Sequence, residues 1–322
     1  MELWKRHFFR ASPLLDLAIV RIAALTATIF YCFIFYNYFD TAAERIALDD
    51  TLFRPTFLYK LFHLPFGWGY DGSGGSDGLG AWAIRPGGNL ILGVSWALLI
   101  SAIFALIGFF TRTSLLICAV SFFYLQSYMY SFGDYHHPEA AMFFMILALA
   151  LSPSGGVLSV DNYLRRRSGT ENDLHTRSTD AGWAIKFMQW FFVLMYFSAF
   201  WAKLTIGGMS WMNGYTLQFY LIQDGLRHGG ALALWMSQYH TLIMLGQIAV
   251  MIFQATFFLE VVYPKIRWLY IPAGFSLHIA IYVLQGAPFF TWMALYTIFI
   301  PWRDGIDWIK GQGRFETGQV QA

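Results

Sequence analysis

The chain has 322 residues, of which 57% are hydrophobic, 20% aromatic and only 12% charged, against roughly 25% charged in an ordinary soluble domain. So few charges cannot cover a water-soluble fold of this length, and a formal net charge of +2 offers neither the basic footprint nor the aromatic-basic stripe of a nucleic-acid binder. Apolar runs recur from Leu14 to Trp302 with no polar block large enough for an independent domain, so residues 1–322 are read as one membrane domain.

In chain order, Lys5, Arg6 and Arg10 precede an apolar run at 14–39. That run is too long for the core of a signal peptide and has no small-residue cleavage site, so it is read as an uncleaved first span. Further runs approaching the roughly 20 residues that a spanning helix needs lie at 90–110, 115–130, 184–204 and 242–262. Three shorter runs, 140–151, 269–284 and 289–302, are bounded by Pro138, Pro153, Pro272 and Pro288 and are read as tilted, re-entrant or extended by their flanks. The expected fold is all-α, a polytopic transmembrane helical bundle of about eight spans, with outer loops at 40–89 and 205–241 and an inner loop at 161–182.

Lys and Arg concentrate in cytoplasmic loops, which orients the bundle. With both termini inside, fourteen basic residues fall on inner segments and five on outer ones, while Arg21 and Lys203 stay within spans. The expected location is therefore the cell membrane, a bacterial inner membrane, with multiple passes and cytoplasmic termini. Cys32 and Cys118 both sit in apolar runs without metal-ligand spacing, as small core residues rather than a disulfide.

Ionisable groups within a bilayer are expensive and mark function or a structural pair, which singles out Arg21, Lys203, Glu260 and His278. Gln189, Tyr196 and Lys203 are spaced by seven and share one helix face. A lysine partly desolvated at the end of such a stripe is a candidate general base; the alternative is a lysine that only reaches for the headgroups. His278 lies four residues after Gly274 and four before Tyr282, a second polar patch with room beside the imidazole. Glu260 is read as the counter-ion of Arg21 or of Lys203, and Arg21 shares a face with Thr28. His136 and His137, with Asp134 and Glu139, follow no recognised ligand spacing, so no metal is expected and His137 is read as a proton-transfer or hydrogen-bonding group. No phosphate loop, serine elbow or Cys-x-x-Cys pair appears.

Several segments together resemble the horizontally transferred transmembrane (HTTM) domain of vitamin-K-dependent γ-carboxylases and of many bacterial membrane proteins. They are Leu-Ala-Ile-Val-Arg-Ile at 17–22, Leu-Ser-Pro-Ser-Gly-Gly-Val-Leu-Ser-Val-Asp at 151–161, Tyr-Phe-Ser-Ala-Phe-Trp-Ala-Lys-Leu at 196–204 and Trp-Met-Asn-Gly-Tyr at 211–215, followed by Glu260 and Phe-Ser-Leu-His at 275–278. The resemblance implies that Lys203 is the base that deprotonates a quinol and that His137 assists it. The polar side chains Tyr196, Gln189 and His278 would help to bind the cofactor, reduced vitamin K or another quinol. The implied chemistry is reaction of a hydroquinone with oxygen to make a strong base that removes a γ-proton from a glutamate before carbon dioxide adds. The family's doubled lysine reads Ala202-Lys203 here, and Gly207-Gly208 is inserted before Trp211.

Two function classes follow. One is a quinol-dependent oxidoreductase or lyase with Lys203 as base. The other is a non-enzymatic membrane maturation or interaction factor for a secreted peptide or protein, with the aromatic segment 211–235 as a peptide or lipid surface. Few charges within the spans and no internal repeat set a transporter behind both. Membrane lipid and a secreted peptide or protein are the expected partners, and nucleic acid is not.

Overall fold

The computed structural model describes residues 7–63, 85–133 and 138–311. It is helical almost throughout: among the described residues the only strands are Ser12–Pro13 and Arg177–Ser178, which pair antiparallel. In hydrocarbon every backbone donor and acceptor needs an internal partner, which a helix supplies within one segment.

Among the described residues four helices are long and apolar enough to cross a membrane: Leu14–Phe35, Gly88–Ile107, Thr179–Met212 and Pro264–Gln285. Glu139–Ala150, His240–Thr256 and Phe290–Phe299 are apolar but shorter. The expected count of about eight is thus met only by four. Thr111–Tyr130 has the length, but its serines, tyrosines, Arg112 and Gln126 dilute its hydropathy. The expected run at 242–262 divides into His240–Thr256 and Leu259–Val262. The run at 269–284 goes the other way, because Pro272 lies in the first turns of Arg267–Gln285 without ending it. Pro272 is the sixth residue of the helix, past the unpaired first turn, so its missing N–H leaves the Trp268 carbonyl without its usual helical donor.

The chain divides into two compact units, Ser12–Ala181 and Met1–Ala11 with Gly182–Ala322. In the first unit, Leu14–Ile29 continues through a π-helical segment, Phe30–Phe35, and stops where Asn37 adopts left-handed φ of 42°. Tyr38–Ala47 therefore starts a separate helix within the expected outer loop, its Tyr38 and Ala42 buried. Phe57–His63 is helical in the same segment. Small residues, Ser95, Ser101, Ala102, Ala105 and Ala119, are buried where Gly88–Ile107 and Thr111–Tyr130 lie in the core, the composition that lets helix backbones approach in lipid. Cys32 and Cys118 are buried free thiols, as expected of small core residues.

The turn at 151–161 holds this unit together. Arg21, fully buried, donates from Nη1 to Ser154 O at 2.8 Å and from Nη2 to Leu158 O at 2.6 Å. Asp161 accepts from the backbone N–H groups of Phe110 and Thr111 at 2.9 and 2.8 Å and from the Thr111 hydroxyl at 2.6 Å, capping Thr111–Tyr130. A Cβ at Gly155 would overlap Thr111, so that position must stay bare for the turn to close. The segment that carries the Arg21 and Ser-Val-Asp resemblance is a structural clasp.

In the second unit Thr179–Ala202 runs into a π-helical turn, Lys203–Gly207, and a 3-10 turn, Gly208–Met212. The expected outer loop at 205–241 contains two helices, Tyr215–His228 and Ala231–Met236, packed on a small core of Leu221, Ala233 and Ile243. Their outward faces leave Tyr215, Phe219 and Trp235 exposed, as aromatic residues at a membrane interface are. The expected inner loop is likewise part helix, Val160–Arg166.

Candidate functional site

The stripe Gln189, Tyr196 and Lys203 lies along one helix, but seven residues advance about 10 Å, so the three side chains serve three places. Gln189 sits lowest. Its amide donates to Ile298 O at 2.8 Å, and its Oε1 accepts from Lys186 Nζ at 3.1 Å and from Arg267 Nη2 at 3.5 Å. Arg267 Nε in turn donates to Glu260 Oε2 at 3.0 Å. Glu260 is fully buried, and its counter-ion is Arg267, neither Arg21 nor Lys203 as the sequence suggested. Tyr263 and the 3-10 turn Pro264–Ile266 reverse the chain between them and bring the guanidinium back onto the carboxylate. A buried carboxylate takes the nearest cation the backbone can present.

Tyr196 occupies the middle. Its hydroxyl is 2.8 Å from His278 Nε2 and hydrogen-bonds the Tyr296 hydroxyl. Phe192, Phe253, Phe257 and Trp292 pack on its ring. Gly274 does not leave open room beside His278, as its position suggested: the Tyr296 hydroxyl fills the space that a Cβ at 274 would take. Tyr282 is half exposed and packs against Phe290. Tyr196 and His278 thus belong to a closed aromatic core.

Lys203 ends the stripe at the first residue of the π-helical turn, a departure from α geometry that recurs at functional sites. Its Nζ donates to Gln254 Oε1 at 3.1 Å and to Ala199 O at 3.2 Å, and it lies 5.1 Å from the centre of the Trp211 ring. Among the described residues no carboxylate comes within ion-pair reach of it. Gly207 makes the Trp211 contact possible, because a Cβ there would meet the indole at 2.7 Å, and Gly208 turns the chain with φ of 58°. The Gly-Gly insertion folds Trp211 back under Lys203.

Sequence reasoning missed the glutamine partner of Lys203. Gln247 and Gln254 are spaced by seven on His240–Thr256 and both are buried, the same signal that drew attention to Gln189, Tyr196 and Lys203. Gln254 bonds to Lys203, whereas Gln247, 1% exposed, has no partner among the described residues for either amide atom. A buried amide left unpaired at both ends is costly and calls for an explanation. Tyr296 was equally invisible, since only folding sets it against Tyr196.

His137, with His136 and Asp134, lies outside the described residues. Among the described residues no three His, Cys, Asp or Glu side chains group as metal ligands. No protein-family model, curated protein or solved structure matches this chain.

Proposed function

We propose that the chain is a multi-pass membrane protein of the HTTM type, with about eight spans and cytoplasmic termini in a bacterial inner membrane, and that Lys203 is the base of a quinol- and oxygen-dependent reaction like that of the γ-carboxylases. The observation that carries this reading is the set of neutral partners around Lys203: Gln254, the Ala199 carbonyl and the Trp211 ring. A lysine so placed can pass its proton on without stranding a buried carboxylate.

The surrounding residues fit a hydroquinone in two respects. Trp211 offers an aromatic face beside the amine, and Gln247, two turns from Gln254 on the same helix, offers a donor and an acceptor left unpaired among the described residues. The quinol, when bound, supplies an acidic phenol and reducing power toward oxygen. With the quinol bound, Lys203 Nζ would take the phenolic proton and Gln254 would keep the amine in position. Tyr196 and His278 support the helix that carries Lys203, and Gln189 anchors its other end. His137 keeps the assisting role that the resemblance implies.

The test is binding of reduced and oxidised quinones to the purified protein, followed by oxygen uptake, for the wild type and Lys203→Ala. Oxygen uptake that Lys203→Ala loses while still folding supports the reading. Equal uptake, or failure of the wild type to bind any quinol, overturns it. The exposed Tyr215, Phe219 and Trp235 favour a second reading, a non-enzymatic maturation or interaction factor for a secreted peptide or protein, which the absence of quinol binding would bring forward.

A further inference from the structure

The helix Tyr215–His228 has three faces where a surface helix needs two. Leu217 and Leu221 turn inward onto the small core, and Gly225 is buried against Leu234 with no room for a Cβ. Tyr215, Phe219, Ile222 and Leu226 recur at intervals of three and four, and all four are exposed, so they form one apolar stripe that the protein leaves uncovered. One residue further on, Thr216, Tyr220, Gln223 and Arg227 repeat the same spacing about 100° around the helix, and each ends in a polar group. The uncovered apolar face continues on the next helix and its end, where Trp235 and Tyr239 are exposed and pack edge to face with ring centres 5.0 Å apart.

Contacts at both ends of this helix fix its level and direction. His240–Thr256 and the spanning helix Pro264–Gln285 run antiparallel: Phe253 and Thr256 meet Tyr270, while Ile243 and Leu284 join one cluster. The start of the first and the end of the second therefore lie at the same end of the pair. Gln218 Oε1 is 3.0 Å from His240 Nδ1 at that start, and the His228 ring would stand 3.1 Å from a Cβ at Gly286, just past that end. Ten residues separate Gln218 from His228, an advance of about 15 Å. A helix that bridges two helix ends at one level runs along the membrane plane, at the depth where the spanning helix leaves the hydrocarbon.

From this three-way division we infer that the segment Tyr215–Tyr239 lies flat in the bilayer interface, with Phe219, Ile222, Leu226 and Trp235 among lipid acyl chains and Gln223 and Arg227 in water. The inference rests on the multi-pass reading and not on the chemistry at Lys203. Lipid is the occupant because the stripe is continuous with a surface that lipid already covers: the helix packs on Pro264–Gln285, whose Ile279 and Val283 are exposed along the span. No charged side chain interrupts the stripe, and tyrosine and tryptophan at its edges suit the headgroup boundary.

The test is site-directed spin labelling of the full chain in phosphatidylcholine liposomes. Collisions of each nitroxide are read with oxygen, which partitions into hydrocarbon, and with a water-soluble nickel chelate. Labels go on Phe219→Cys, Ile222→Cys and Leu226→Cys, on Gln223→Cys and Arg227→Cys, and on Ile279→Cys as the reference within the span, after Cys32→Ala and Cys118→Ala remove the native thiols. Oxygen collisions should exceed nickel collisions severalfold at 219, 222 and 226, as at 279, and the order should reverse at 223 and 227. Strong nickel collisions on both stripes would place the segment in water, its aromatic face open to a peptide, and would overturn the assignment. Weak collisions of both reagents at 219, 222 and 226 would mean that protein covers the stripe, and would overturn it too. Nickel access at 279 as well would overturn the multi-pass reading along with it, whereas a normal result at 279 confines the failure to this segment. If the background without native thiols does not fold, the fluorescence that Trp235→Phe removes decides the matter: quenching by dibrominated phosphatidylcholine supports the placement, and unquenched emission overturns it.

Discussion

Gly274 and Tyr296 occupy the same space: the tyrosine hydroxyl fills the site where any Cβ at 274 would stand. The bond from Tyr196 to Tyr296 and the contact with His278 therefore depend on the absence of a side chain at position 274, on a different helical segment from either tyrosine. Gly274→Ala is expected to destabilise the protein by about 1–3 kcal/mol through overpacking. Tyr296→Phe removes the nearest clashing atom but keeps the ring carbon that would stand 2.6 Å from the new Cβ, so the double variant should lose only somewhat less than the sum of the two single changes. Thermal unfolding of the four proteins in one detergent measures this; strict additivity would mean that the overlap relaxes elsewhere.

Removal of Arg267 leaves Glu260 buried without a cation. Arg267→Met is expected to lose about 3–5 kcal/mol, and adding Glu260→Gln should recover a large part of it, because the neutral amide needs no counter-ion. Denaturant or thermal unfolding of the single and double variants reads this directly. Recovery by a change at Glu260, with none from a change at Arg21, would confirm that the pairing is local to this unit.

The clasp in the first unit makes a different prediction. Asp161→Ala strips the acceptor from two backbone N–H groups and one hydroxyl, and a lost cap of this kind costs about 0.5–2 kcal/mol. Asp161→Asn, which retains one acceptor oxygen, should fall between. Limited proteolysis near 151–161 and thermal unfolding should rank the three proteins in that order.

His7 gives the stability a pH dependence with a definite sign. Burial, and then the nearby Lys186 charge, hold its pKa below 6.5, and its Nε2 must be unprotonated to accept from Trp190. The unfolded chain takes up the proton at about 6.5, so this contribution is present above pH 6.5 and is lost as the pH falls from there toward the folded value. The melting temperature should drop between pH 7.5 and 5.5, and His7→Gln should shrink the drop. An unchanged slope in the variant would assign the effect to other groups.

Lys203→Ala should lower quinol-dependent oxygen uptake by roughly a hundredfold or more with little loss of stability, since the side chain is only partly buried and leaves no unpaired carboxylate. Gln254→Leu, which removes one of its two acceptors, should produce a smaller loss in the same assay. Unfolding of Lys203→Ala would point instead to a structural lysine.

The sequence alone determined what hydropathy determines. Long apolar runs with few charges make helices fit for a bilayer, and seven-residue spacing put Gln189, Tyr196 and Lys203 on one face. These are local properties, and backbone hydrogen bonding in an apolar medium leaves such runs little choice but a helix. The side-chain partners were decided elsewhere. Glu260 went to Arg267 because a turn brought it back, the space at Gly274 went to Tyr296, Asn37 set a helix boundary inside the first apolar run, and Pro272 set none where the apolar pattern suggested one. Lys203 acquired Gln254 and Trp211 from other segments, the latter through two glycines that looked like a mere insertion. Contacts between residues distant in sequence depend on packing and turn geometry, and one-dimensional hydropathy carries neither.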